Sequence, residues 1–445
     1  MKSFPITLFF SILLFILNFN TIPSKLLGDQ PLKDDDEEED VITTITTDNE
    51  SALRDALLIL WKFGGIIYID TPEINIKTQS SLSVKGSLSG GIVGIQQSNG
   101  EYPRLNFRTQ RDEVTLLYFP GLTISGSNKI IKNLIFESAG TNAIFIDGQK
   151  NTLDHVITRY NGHSGIYLSP TSDYNTFNYC YSYRNFHFTE NSLPADGFTV
   201  EIGGINNVFN YCFAWENSQN GFGYYYYDGK DNIGSLTYSH SASWNNANID
   251  VFSGRYDFGI GNPLDKNMWT IQQIIKSDEE FESNYNNKMF NLNNAIINSK
   301  RAHDYFNDYN KNNYGNGFNF GVENSLNVLS NKRTVDYCAA FDHRFKGFSS
   351  NKSQNFTGLF TNNVGFTNNV NYELHYSFAK WSNNWSWDSR NDDEFDMDLV
   401  LKEPKYTSSS KKKFYSVRDQ IIKSVYANTF PDDVNFDKAI KSLTE

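Results

Sequence analysis

Residues 175–217 read NTFNYCYSYRNFHFTENSLPADGFTVEIGGINNVFNYCFAWEN, and one phrase occurs in this stretch twice. NTFNYCYSYRN opens it and returns 32 residues later as NVFNYCFAWEN, with Cys180 matching Cys212 and Asn185 matching Asn217. Working outward, Asn128 opens NKIIKNLIFESAG and Asn151 opens NTLDHVITRYNG, so the steps along the chain are 23, 24 and 32 residues. LTYSHSASWNN follows at Leu236, and RTVDYCAAFDH and FTGLFTNNVGF resume the pattern later. Each unit also holds a short β-rich run (AIFIDG, GIYLSP, GFTVEIG, GFGYYYY) bounded by Gly, Asn, Asp or Ser turns. Helical periodicity is absent there. One such unit has too little apolar surface to form a core alone, whereas stacked units share a continuous one. The pattern predicts an all-β chain wound into a parallel β-helix.

In that architecture equivalent residues lie above one another at about 4.7–4.9 Å. Asn185, Asn217 and Asn245 end three units, and their amides are expected to form a hydrogen-bonded ladder. Cys180, Cys212 and Cys338 share one slot of the repeat, which reads as a column of small, buried, reduced side chains. No second Cys or His recurs at ligand spacing, so a metal site on these cysteines is excluded.

Both ends of a β-helix need covers. DNESALRDALLILWK supplies an amphipathic helix, capped by Asp48 or Ser51, leading into GGIIYID. Residues 261–313 break the repeat and read as a partly helical insertion. Beyond Leu401 the pattern fades, Lys411–Lys413 reads as a solvated turn, and SVRDQIIKSVYAN as a short helix.

The 445 residues carry a formal charge of −12, which excludes generic nucleic-acid binding. Lys2 precedes an apolar run from Phe4 to Phe19, which suits a signal-peptide core; without an A-x-A site, a retained signal anchor is the alternative. The expected organisation is a signal peptide over 1–23, an acidic disordered linker over 24–47, a β-helix over 48–400 and a tail over 401–445. Sequons at Asn49, Asn351, Asn355 and Asn384 fit a secreted, extracellular glycoprotein with no membrane contact after signal cleavage.

The ordered series GLTISGSNKIIKNLIFESAGTNAIFIDG, PADGFTVEIGGINNVFNYCFAWEN, GNGFNFG and DYCAAFDHRFKGFSSN resembles the pectate lyases of polysaccharide lyase family 9. The resemblance implies a right-handed, single-stranded β-helix that acts on polygalacturonate by β-elimination. In that family calcium sits on carboxylates of adjacent coils, steadying the charge that develops on the uronate, and a lysine is the base.

Carried onto this chain, the aspartate of ADGF is Asp196. The family's Asp-Asp-Gly-x-Asp bend reads Gln219-Asn220-Gly221-Phe222-Gly223, so Asp196, Gln219 and Asn220 form a degenerate calcium site with Gly223 at the lost fourth position. The lysine of GNGFK becomes Asn319, and an amide is not a useful base. Lys346, with Arg344 beside it, is the candidate substitute one coil later, while His163 reads as a turn histidine. For hydrolysis the candidate carboxylates are Asp196, Glu201, Glu216 and Asp228.

In GFGYYYYDG, strand alternation sends Tyr224 and Tyr226 to one face, and Tyr225 and Tyr227 to the other. Outward tyrosines suit the apolar face and hydroxyl edge of a sugar, and Tyr225, Tyr227 and Arg344 are the candidate sugar contacts. The expected function is binding of an acidic polysaccharide such as polygalacturonate, with weak or no lyase activity and at most weak calcium. An active uronate lyase and an adhesive or structural rod are the alternatives.

Overall fold

The computed structural model describes residues 41–107, 119–185, 195–201, 204–225, 235–247, 315–321, 331–350, 356–374, 380–391, 394–395 and 408–426. The chain divides into compact units of residues 1–38 and 39–445, and all described residues lie in the second. The 261–313 insertion lies outside the described residues.

Two parallel sheets, of 19 and 10 strands among the described residues, run along the coil axis. Each coil typically lays two short strands in the larger sheet and one in the smaller. Thr176–Asn178 and Tyr181–Tyr183, for example, lie in the larger sheet, with Phe198–Glu201 following in the smaller. The bend between the paired strands is a single residue with positive φ. It is Tyr179, Tyr211, His240 and Tyr337 on successive coils, at 51°, 51°, 49° and 51°. This conformation is strained for a residue with a Cβ. Their rings stack face to face at 5.0, 4.8 and 5.1 Å, a contact repeated because the bend itself repeats.

The repeat places apolar side chains in interior columns. Phe198, Phe222, Phe318, Phe348 and Tyr372 stack at centroid distances of 4.9, 4.6, 5.1 and 5.1 Å. Cys180, Cys212 and Cys338 are buried and free, as expected from their shared slot. Backbone bonds from Phe213 N to Cys180 O, Ala242 N to Cys212 O and Ala339 N to Ser241 O put Ser241 between the last two cysteines.

An asparagine ladder exists, but its third member is Asn246 rather than Asn245. The Asn185 amide donates to Asn217 at 2.9 Å, and Asn217 donates to Asn246 at 3.1 Å. Asn245 is the positive-φ bend residue (φ 55°) and lies outside the stack. His343 continues the column: its Nδ1 accepts from Asn246 N at 3.4 Å and its Nε2 donates to Ser243 O at 3.0 Å. Burial lowers its pKa to about 3, so it sits neutral in the ladder. A second ladder joins Asn151, Asn175 and Asn207. Asn128 is not part of it, because Thr152 pairs with Ile130 and Lys129 therefore holds that slot.

Other expectations shift at the ends. Val41–Ile45 is a strand paired with Gly65–Ile69, so the last part of the stretch expected as a linker over 24–47 belongs to the β-helix. Helix α1 spans Glu50–Phe63 and is capped by Asn49, whose side chain accepts from Ala52 N at 3.0 Å. Asp48 instead binds the backbone and side-chain amides of Asn75. Helix α2, Ser408–Tyr426, includes Lys411–Lys413, which are therefore not a turn. Its Phe414, Val417 and Ile421 cover an outer apolar strip that includes Phe366 and Trp387. Asn384 is buried, donates to Phe360 O and accepts from Asn363 N, so its sequon offers no site for a glycan.

Candidate functional site

Five stacked coils, from Ser164 to Lys346, enter the smaller sheet through one phrase, a polar residue followed by glycine and a large apolar residue; the next coil reads Val370-Asn371-Tyr372 instead. The bonds Gly165 N to Asp196 O, Gly197 N to Asn220 O, Gly221 N to Asn316 O and Gly317 N to Lys346 O define its slot. Ser164, Asp196, Asn220, Asn316 and Lys346 are thus stacked equivalents. Glycine follows because the coils touch there: a Cβ on Gly221 would lie 1.9 Å from Ser243 Oγ.

The two bends expected to meet do meet. Asp196 is fully buried, and its Oδ1 accepts from Asn220 N at 2.9 Å, Asn220 Nδ2 at 3.1 Å and Tyr225 Oη at 3.2 Å. Thr199 Oγ1 donates to its Oδ2 at 3.1 Å. Burial raises the Asp196 pKa to about 7, against the opposing pull of those donors. Gly223 leaves room for this carboxylate, since a Cβ there would lie 1.9 Å from Asp196 Oδ2. Its φ is not positive, so the obstacle to a side chain is Asp196 together with the Tyr225 ring, whose Cε2 would lie 2.7 Å from that Cβ.

The amide oxygens carried over as calcium ligands are turned elsewhere. Gln219 Oε1 accepts from Ala195 N at 3.1 Å and Asn220 Oδ1 from Asn316 N at 2.9 Å. Asp196 meets hydrogen-bond donors where a hard cation would need acceptors. Among the described residues no cluster of three or more His, Cys, Asp or Glu side chains could hold a metal. These residues do not fit calcium.

Asn319 is buried on the strand Phe318–Asn319, in register with Ser349 and then Glu373. Lys346 Nζ binds Glu373 Oε1 at 2.5 Å, and Ser349 Oγ binds Glu373 Oε2 at 2.6 Å. Glu373 lies one coil beyond Lys346, so the lysine leans away from Asp196. Arg344 is half-buried beside His343, and His163 is buried. Tyr224 is buried in the core and Tyr225 faces outward, as alternation requires, with its hydroxyl closing over Asp196. Tyr226, Tyr227 and Asp228 lie outside the described residues.

The described hydrolase candidates are each engaged separately. Glu216 pairs with Arg184 at 2.6 Å, and Glu201 accepts from Tyr167. Thr199, Ser349 and Glu373 escaped the sequence reading. Counting outward positions from the glycine of each bend would have found Thr199 and Ser349, both two residues after it.

A family model described as the Pel9A-like right-handed β-helix region matches residues 36–262, about half of the chain. Pectate lyase L of Paenibacillus polymyxa (strain SC2) is 27% identical over 220 residues, covering 47% of this chain and 48% of that protein. Pectate lyase L of Dickeya chrysanthemi is 25% identical over 269 residues, covering 60% and 53%. The chain thus spans about half the length of the curated relatives it matches. The crystal structure of pectate lyase Pel9A superposes with a TM-score of 0.55 at 16% identity, covering 84% of this chain and 83% of that one. A rhamnogalacturonan lyase gives 0.51 at 14% identity, covering 83% and 86%. These two likenesses concern the fold. With its stacked strands, its glycine bends and the family match, this chain belongs to the Pel9A-like right-handed β-helix family.

Proposed function

We propose that this protein is exported and binds an acidic polysaccharide such as polygalacturonate, with weak or absent lyase activity. The observation that carries the reading is the ring of donors around Asp196. The carboxylate that would hold a cation is engaged by Asn220, Tyr225 and Thr199, and Asn319 stands at the base's position. The curated relatives named pectate lyase L support a polysaccharide as the ligand class.

The test is direct. Purified protein is run by affinity electrophoresis through gels containing polygalacturonate or another uronate polymer. In parallel, unsaturated product is followed by ultraviolet absorbance with calcium or chelator. Retardation with little or no product is expected. Calcium-dependent product that disappears in Asp196→Ala would sink the proposal.

One observation favours an active lyase as the second reading: Lys346 occupies the slot of Asp196 and Asn220 on the same sheet. Activity abolished by Lys346→Met while Asn319→Ala is silent would establish it.

A further inference from the structure

Helix α1 buries Leu53, Ala56, Leu57 and Leu60 against the first coils. Its last two turns should then face water with polar side chains. Instead Leu58, Ile59, Trp61 and Phe63 are 54%, 42%, 47% and 76% exposed, and Leu88 is 49% exposed. Residues 86–88 flank the end of the helix. Leu88 Cβ lies 3.4 Å from where a Cβ on Gly64, the α1 C-cap, would stand, and a Cβ on Gly86 would lie 3.0 Å from the Trp61 ring. Two cations accompany it: Lys62 within the last turn and Lys85, whose Nζ lies 5.9 Å from the Trp61 ring centre.

We propose that this end of the β-helix docks on a lipid bilayer surface, with Trp61 and Phe63 at the boundary of headgroups and acyl chains. Two arguments select lipid as the occupant. Aromatic rings flanked by lysines are the side chains that settle at a membrane–water boundary, apolar bodies inward and ammonium groups at the phosphates. The patch is also small. Five side chains expose on the order of a few hundred Å², whereas a stable protein interface buries about 800 Å² on each partner. A bilayer surface sets no such minimum.

Asp55 is exposed one turn before Leu58, so insertion rather than attraction to anionic lipid drives the contact, and neutral lipid suffices. Among the described residues no helix is long and apolar enough to cross a membrane, consistent with docking onto the surface.

The test uses the full chain with phosphatidylcholine vesicles in a flotation assay. Wild type is expected to float, and Trp61→Ser/Phe63→Ser to partition about tenfold less or weaker. Both side chains are exposed, so the variant's melting curve should match wild type, and Tyr174→Ser, at a distant exposed ring, should float normally. Acyl-brominated lipid should quench a fluorescence component that Trp61→Phe lacks while still floating. Equal flotation of wild type and double variant, with no quenching assigned to Trp61, would overturn the proposal by leaving the leader as the sole membrane contact. Wild type that stays off vesicles but dimerises through Trp61 and Phe63 would overturn it in favour of a second copy of this chain.

Discussion

From Ile67 through Ile92, Ile131 and Leu153, one interior column of the larger sheet is aliphatic; its continuation is Phe177, Phe209, Tyr238, Val335, Phe360 and Trp381. The smaller sheet changes in the same region, from Leu122, Ile144 and Ile166 to Phe198 and Phe222. A third column answers in the opposite sense, from Leu134 and Val156 below to Cys180, Cys212, Ser241 and Cys338 above. Rings on two walls are accommodated by small side chains on the third, as close packing of a coil of similar girth demands.

The exterior of the larger sheet changes too. Glu73, Arg104, Glu137 and Arg159 form a chain of ion pairs below, which gives way to Tyr183 stacked on Trp215 and Trp215 on Trp244. Asp196 sits just above this change. The polar site therefore rests on the rigid aromatic half, and its substitutions leave the aliphatic half untouched.

Truncation in each half gives the largest difference. Phe222 is stacked between Phe198 and Phe318, and Phe222→Ala should cost about 3–5 kcal/mol by denaturant melts. Ile131→Val in the aliphatic half should cost about 0.5–1.5 kcal/mol. Equal losses at the two sites would mean that the aromatic columns are loosely filled and the contrast is one of composition only.

Two buried titrating groups in the upper half give that half a pH signature. The folded pKa of His343, about 3, lies below the ordinary 6.5, so the unfolded chain takes up more protons and stability falls as pH drops from 6.5 toward 3. Asp196 works in the opposite direction. Its folded pKa of about 7 exceeds 3.8, so its contribution is fully present below 3.8 and is lost as pH rises through about 7. His343→Asn, which supplies a ladder amide, should flatten the acid limb. Asp196→Asn, which keeps an acceptor toward Asn220, should flatten the neutral limb. Urea midpoints across pH check both, and unchanged limbs would show that other groups set them.

Sequence exposed the coil because its period is written in whole phrases, and it placed Asp196 against Gln219–Gly223 correctly. It failed wherever one residue's backbone conformation decides the outcome. Asn245 reads as a ladder member and Asn128 as the counterpart of Asn151, but each carries a positive φ, and the slots belong to Asn246 and Lys129. The helical fate of Ser408–Lys413 depends on an apolar strip assembled from distant coils. Glu373 escaped notice because its role arises from Lys346 and Ser349 on the preceding coil.

At the junction itself, Gly223→Ala should cost about 1–3 kcal/mol, because the added Cβ meets Asp196 Oδ2. In an Asp196→Ala background the share due to Asp196 should vanish while the Tyr225 ring at 2.7 Å still opposes the Cβ, and a double-mutant cycle measures the coupling. An additive cycle would mean that the carboxylate swings aside freely. The same contact bears on rebuilding the family site: Gln219→Asp, Asn220→Asp, Gly223→Asp and Asn319→Lys together require Asp196 to move, whichever cation is supplied.

The smallest effect belongs to the lower exterior. Arg104 reaches Glu73 at 3.1 Å and Glu137 at 3.8 Å, and its side chain is 36% exposed. Water and salt screen such a pair, and a long side chain loses rotamer freedom to make it, so Arg104→Met should change stability by about 0–1 kcal/mol. The difference should shrink further in high salt. Arg159 lies deeper, with Nε 2.8 Å from Glu137 and Nη1 3.0 Å from the Tyr183 hydroxyl, so Arg159→Met should cost more and depend less on salt. If the two variants lost equal stability with equal salt dependence, the ion-pair chain would be uniform up to Tyr183. The change in character would then begin at Trp215, one coil later than the contacts place it.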